Sequence, residues 1–359
     1  MKLNTSVIIK KCKPIYLFLA FILFCSHDLY IKMDSYFLKP NQEASLSLYN
    51  GTFENSENII TRDRMLDASL VAQGKRTAIN PSNWKDQDSI ITQLTFKTGE
   101  AGTYVAGVST KARNIELTAE KFNSYLKNDG VLDMLQKRTT DSLLNENAVE
   151  SYQKHVKAIY QVGNVKTNDW NTVLGYPIEF VPQENPYDKY NGDTLEVQLL
   201  LDGKPLPNQL VFADYIKNEH GHTHGDQSEE HEHDGKKHTH EHSTNTDEHE
   251  HTHQGESGKE HTHTSGQQLR TNNKGIVTVK LPEEGVYYLR TINMTRATDS
   301  DELTHRSKWA TLTFEVSHAH GENSHTHEHD DENEIPTWVF ILGSILIIGV
   351  LVLIFRKKG

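Results

Sequence analysis

The chain has 359 residues, enough for one large domain or two of ordinary size, and its 35% hydrophobic and 24% charged content is too polar for a polytopic membrane protein. A formal charge of −12 argues against nucleic acid as a partner, because phosphate binding needs a basic face. The only cysteines, Cys12 and Cys25, lie in the first hydrophobic segment, which excludes a disulfide framework and any cysteine-ligated zinc or iron–sulfur site.

Lys2, Lys10, Lys11 and Lys13 precede the apolar run from Pro14 to Cys25, which is short for a membrane span and right for the core of a secretory signal. Phe24, Cys25 and Ser26 do not make a clean small-x-small cleavage site. Signal cleavage, lipidation at Cys25 and a retained anchor are therefore all open, with a signal peptide over 1–26 the working expectation.

The exported body opens with strands. Leu46-Ser-Leu-Tyr-Asn-Gly-Thr-Phe alternates apolar and polar residues up to an expected turn at Asn50-Gly51, and Ile90-Ile-Thr-Gln-Leu-Thr-Phe precedes Thr98-Gly-Glu-Ala-Gly-Thr-Tyr-Val. The period then changes. Thr118-Ala-Glu-Lys-Phe opens with a capping arrangement, and helical spacing runs with breaks to about Val162. The expectation is a β-sandwich over 27–185 with a helical insertion over 118–162. His155, beside Lys154 in that stretch, reads as a solvated helix residue.

A second sandwich is expected over 186–317. Asp193-Thr-Leu-Glu-Val-Gln-Leu-Leu-Leu is a strand, Asp202-Gly203 a hairpin turn, and Gln209–Ile216 the next strand. Pairing resumes at Leu269, at Gly285-Val-Tyr-Tyr-Leu-Arg-Thr and at Ala310-Thr-Leu-Thr-Phe-Glu-Val, the short strands and regular turns of a Greek-key sandwich. His305 falls in the polar loop Asp299–Arg306.

Between two of those strands lies 219–264, which has no aliphatic, aromatic or sulfur-bearing side chain and carries twelve acids against three lysines. With nothing to bury, it is expected to be disordered without a ligand. Thirteen of the 21 histidines fall here, in His-Xaa-His units: His220, His222 and His224; His231 and His233; His238, His240 and His242; His249, His251 and His253; His261 and His263. A second tract over 318–335 adds His318, His320, His325, His327 and His329. Trp338–Phe355 is then uncharged and, at about 1.5 Å per residue, nearly matches a hydrocarbon core of about 30 Å. Arg356, Lys357 and Lys358 follow, so a transmembrane helix over 336–355 with a cytoplasmic tail over 356–359 is expected, the body lying outside the inner membrane.

The segments Gly175-Tyr-Pro-Ile-Glu-Phe-Val-Pro, Asn185-Pro-Tyr, Gly192-Asp-Thr-Leu, Asp202-Gly-Lys-Pro-Leu, Thr271-Asn-Asn-Lys-Gly and Thr311-Leu-Thr-Phe occur in this order. They resemble a domain-of-unknown-function family related to NikM/NikK, exported components of bacterial nickel and cobalt uptake. His27-Asp-Leu-Tyr-Ile resembles that family's histidine just after the signal. The resemblance covers most of 27–317 and is specific in the second half. It implies an immunoglobulin-like or carboxypeptidase-regulatory-like exported module associated with transition-metal uptake, and with the strand pattern above the expected fold is mainly β, two immunoglobulin-like β-sandwich domains.

Neutral imidazole suits nickel, cobalt, zinc and copper. In an extended chain alternate residues point the same way, so two imidazoles of a His-Xaa-His unit can reach one ion, and the intervening acids concentrate cations. Affinity should be modest and pH-dependent, because each ion must order its own site. If cleavage frees His27, its amine and ring can chelate an ion; cleavage after Phe24 instead puts a histidine third, which suits square-planar nickel or copper. No Gly-x-Ser-x-Gly elbow, phosphate loop or His-Glu-x-x-His occurs, so no enzyme is expected. The expected function is capture of divalent metal and delivery to a permease in the same membrane. The rivals are an immunoglobulin-like envelope interaction module and a protein that sequesters copper or zinc.

Overall fold

The computed structural model describes residues 27–217 and 265–317. The expected signal over 1–26, both histidine tracts and the expected span over 336–355 lie outside the described residues, among which no helix is long and apolar enough to cross a membrane.

The chain opens with β1 (Asp28–Lys32), the two-residue β2 (Phe37–Leu38) and β3 (Glu43–Gly51). Next come β4 (Met65–Ala72), β5 (Lys75–Ala78), β6 (Lys85–Gln87), β7 (Ile91–Lys97), β8 (Gly102–Thr110) and β9 (Arg113–Leu117). Two helices, α1 (Ala119–Asn128) and α2 (Leu132–Thr140), precede the long β10 (Ala148–Val162). After β11 (Ile178–Pro182), β12 (Thr194–Leu201), β13 (Lys204–Pro205) and β14 (Leu210–Ile216), the description resumes for β15 (Gln267–Arg270), β16 (Ile276–Lys280), β17 (Gly285–Arg296) and β18 (His305–Val316).

The architecture is mainly β and sandwich-like. A ten-stranded sheet runs β15-β14-β17-β18-β10-β8-β4-β5, with β2 and β9 also on β10. Two four-stranded sheets, β1-β3-β7-β6 and β11-β12-β13 with β16 on β12, pack against it. At the centre β10 and β18 pair in parallel, Glu150 opposite His305 through Ala158 opposite Thr313, so strands from both halves of the chain share one backbone ladder. The two-residue alternation of strands sorts the side chains by face. Lys154, Trp309, Thr311, Thr313 and Arg290 face β1, and the Thr311 and Thr313 hydroxyls donate to the carbonyls of Leu29 and Ile31. His155 and Lys157 face the opposite way, toward Tyr176 and β11.

Helix occupies less of 118–162 than its spacing suggests. The Thr118 hydroxyl accepts from the Lys121 amide and caps α1, but helix ends at Thr140 and Ala148–Val162 is a central strand. Its alternation is hidden because Glu150, Lys154, His155 and Lys157 are all buried polar residues, and neither face reads as apolar. Asn50-Gly51 is the end of β3 rather than a turn. A Cβ on Gly51 would lie 2.3 Å from the Asn55 carbonyl oxygen, so glycine lets the following loop close back on the strand. Asp202-Gly203 does turn the chain, both residues having positive φ between the paired Leu201 and Lys204.

Candidate functional site

Of the candidate metal ligands only His27 lies among the described residues. It immediately precedes β1, its side chain is mostly buried, and its Nε2 lies 3.1 Å from Glu57 Oε2 in the loop after β3. His220, His222, His224, His231, His233, His238, His240, His242, His249, His251, His253, His261, His263, His318, His320, His325, His327 and His329 lie outside the described residues. Among the described residues no three His, Cys, Asp or Glu side chains come together to hold a metal ion.

What surrounds His27 is a buried ionic network, on the seam where β1 and the helical pair meet the same face of the large sheet. Lys154, fully buried on β10, donates from Nζ to the His27 carbonyl and, at 2.9 Å, to Asn50 Oδ1. Asp28 meets Arg290 of β17 at 2.6 Å with both side chains almost fully buried, and Arg290 Nη2 donates to the Asp129 carbonyl at 2.8 Å. The residue that ends α1 and the first residue of β1 are thus tied through one guanidinium. Glu150 accepts from the hydroxyls of Tyr125, at 3.1 Å, and Ser307, which in turn accepts from Trp309 Nε1 at 2.9 Å.

Burial sets the protonation of these groups. It lowers the Lys154 ammonium to about 7, helped by repulsion from Arg64 and opposed by the carboxylates of Asp28, Asp129 and Glu150. It raises Glu150 to about 7, against the hydrogen bonds from Ser307 and Tyr125, and no described residue bonds to Glu150 Oε2. Asp129 is pushed well above the carboxylate range by burial and then by the like charge of Asp28. For Arg290 burial is the largest single effect and works against the charge, but Asp28, Tyr30 and Asp129 together outweigh it and the guanidinium stays protonated. The arrangement can hold the exit of the N-terminal segment rigidly, with an imidazole and a carboxylate at its outer end.

The two other described histidines are not where their sequence context suggests. His155 is buried in β10, its Nδ1 2.9 Å from Ser109 Oγ, and its ring is held near pKa 4 by burial and then by Lys308. His305 is the buried first residue of β18, its Nδ1 2.7 Å from Thr304 Oγ1 and its ring 4.7 Å from that of Phe122, and it too is lowered to about 4, chiefly by burial. Both rings are neutral core groups. Lys154, Asp28, Arg290, Asp129 and Glu150 carry no motif that would have singled them out, because their partners lie far away along the chain.

The motif at Gly175–Pro182 has a structural explanation. Glu179 accepts from the amides of Leu174, Gly175 and Tyr176 and from Lys157 Nζ at 3.0 Å, both charges being buried. Lys157 also donates to the carbonyls of Thr172 and Phe180. This pair pins the turn before β11 to the central strand.

The histidine tract is rooted on one hairpin. β14 and β15 pair from Leu210 opposite Arg270 to Ala213 opposite Gln267, and the described chain stops at Lys217 and resumes at Ser265. Gly266 makes this return possible, since its φ is +78° and a Cβ there would lie 2.4 Å from the Ala213 carbonyl oxygen and 2.7 Å from Asp214 Cγ.

The sequence profile described as "Domain of unknown function (DUF4198)" matches residues 25–295. No curated protein matches the chain. Among solved structures, the D0–D1 domain of intimin is similar at 11% identity, over 80% of this chain and 97% of that one, with a TM-score of 0.17. The Yersinia pseudotuberculosis adhesin InvE is similar at 14% identity over 80% and 58%, with a TM-score of 0.18. A DUF4785 family protein from Legionella pneumophila is similar at 9% identity over 52% and 39%, also with a TM-score of 0.18.

Proposed function

The chain belongs to the DUF4198 family, and from that premise we propose that it is an exported, membrane-anchored, non-enzymatic accessory protein that captures divalent nickel, cobalt or zinc and passes it to a transporter in the same membrane. In this reading the body is an immunoglobulin-like, sandwich-like module outside the inner membrane, its two halves joined through the shared β10–β18 ladder, related to the NikM/NikK components. The ions are cargo, held by the His-Xaa-His units of 219–264 and then by the tract over 318–335.

One arrangement carries the reading: a tract with thirteen histidines begins and ends on the paired strands β14 and β15. A scaffold that is already closed by its own ladder does not need the tract for folding, which frees the tract for ligand exchange. Imidazoles exchanged one at a time give sites of modest affinity, which suit delivery better than storage.

The test is calorimetric titration of residues 27–335 at pH 7.5 with nickel, cobalt, zinc and copper, beside a protein lacking 219–264. Several ions per chain, most of them lost with the deletion, are expected. A single tight ion kept by the deletion would move the function to His27 and Glu57. No binding below about millimolar concentration, well short of the apparent energies of structural metal sites, would leave the envelope interaction module as the better account.

A further inference from the structure

A cavity of about 300 Å³ opens between the loop after β3 and the roots of the histidine tract. Its floor follows from strand alternation and register. Phe212 and Asp214 fall on one face of β14, and β17 sets Arg290 opposite the first and Tyr288 opposite the second. Phe53 closes the other side, stacked on Tyr288 at 4.3 Å and meeting Tyr30 edge-on at 5.2 Å. Glu54 follows Phe53 at the rim.

The charges around this space are unequal. Arg290 is the cation on the floor, and it is committed to Asp28 and to the Asp129 carbonyl. The carboxylates of Asp214 and Glu54 both act on the Tyr288 phenol, raising its pKa after the larger effect of burial. One oxygen of Asp214 accepts from the Tyr215 amide at 2.9 Å, which holds the group in place. An ammonium already rests on this aromatic cluster: Lys32 Nζ lies 4.9 Å from the Phe53 ring centre and 4.4 Å from that of Tyr49.

We propose that this cavity binds a small primary ammonium ion, seated on the Phe53–Tyr288 stack with its charge toward Asp214 and Glu54. Aromatic faces and carboxylates both favour a cation, and the two cations nearby are already engaged, Arg290 by Asp28 and Lys32 by the rings of Tyr49 and Phe53. The size admits an aryl or alkyl amine rather than a large ligand. The ammonium can come from a free amine or from a lysine side chain of a partner protein. This binding is independent of the metal reading, since none of its groups is a histidine.

The experiment is calorimetric titration of the full-length protein, in detergent and with chelator present, with benzylamine, with Nα-acetyl-lysine amide, and with benzoate as a shape-matched anion. The wild-type chain should bind at least one of the two amines, the tighter naming the source, and should not bind benzoate. Asp214→Asn and Glu54→Gln should each weaken amine binding about tenfold, the loss of one charged contact. Asparagine keeps the oxygen that holds the Tyr215 amide, and Glu54 is an exposed rim residue, so circular dichroism should find both variants folded. Failure of both amines to bind, equal binding of benzoate, or amine binding unchanged in both variants would overturn the proposal. None of these results bears on whether metal binds the histidine tract.

Discussion

His155 shows how a polar side chain serves a core position. Buried beside Tyr176 and bonded to Ser109, its ring is stable there only when neutral, which is why burial holds it near 4 against an ordinary value of 6.5. The sign for stability follows. As pH falls the unfolded chain takes up the proton first, so the contribution is complete above about pH 6.5 and is lost as pH falls toward 4. Glu150, raised to about 7, acts in the opposite sense, its contribution fading as pH rises through that value. Comparison with a variant therefore isolates the histidine. His155→Phe should lose about 1–3 kcal/mol of the stability difference between pH 7.5 and pH 5, measured from urea midpoints at the two values. An unchanged difference would mean that the ring takes up its proton at the same pH in the folded and unfolded chains.

At the scale of elements, β1 pairs with β3 along its whole length and is also tied to what lies beneath it. Asp28 reaches Arg290 on β17, and the carbonyls of Leu29 and Ile31 accept from Thr311 and Thr313 on β18. The same guanidinium reaches the end of α1 through the Asp129 carbonyl. Arg290→Met should leave the Asp28 carboxylate buried without its cation, at a cost of about 3–5 kcal/mol. Amide hydrogen exchange should then quicken in β1 and at the C-terminal end of α1 before it does in β10. Exchange that does not rise in β1 would show that the β3 ladder and the threonine bonds hold the strand without the ion pair, and a uniform rise would show that Arg290 supports the whole body rather than these two ends.

For the whole molecule the question is whether the scaffold needs its long insertion. β14 and β15 pair over four residues each, β14 pairs further with β17, and the roots converge where Gly266 turns against Asp214. Replacing 219–264 by a short glycine–serine linker should leave the melting temperature of the folded body within about 4 °C, roughly 1 kcal/mol for a domain of this size. Scanning calorimetry decides it. A larger fall would mean that the tract packs on the body, and the picture of a freely exchanging metal carrier would have to be abandoned.

Composition and local pattern were enough to read strand-rich segments, the capped helix at Thr118, the turn at Asp202-Gly203 and the polar tract between two strands, because each is a matter of neighbours along the chain. The same reasoning carried helix through Ala148–Val162, where β10 is a strand buried on both faces. It also left His155 and His305 on the surface. Only tertiary structure decides those positions, since Lys154 finds Asn50, Lys157 finds Glu179, and Arg290 finds Asp28 and Asp129 across distant parts of the sequence. Burying a charge is tolerated only where its partner is already in place, and that placement is a property of the assembled sheets rather than of any segment.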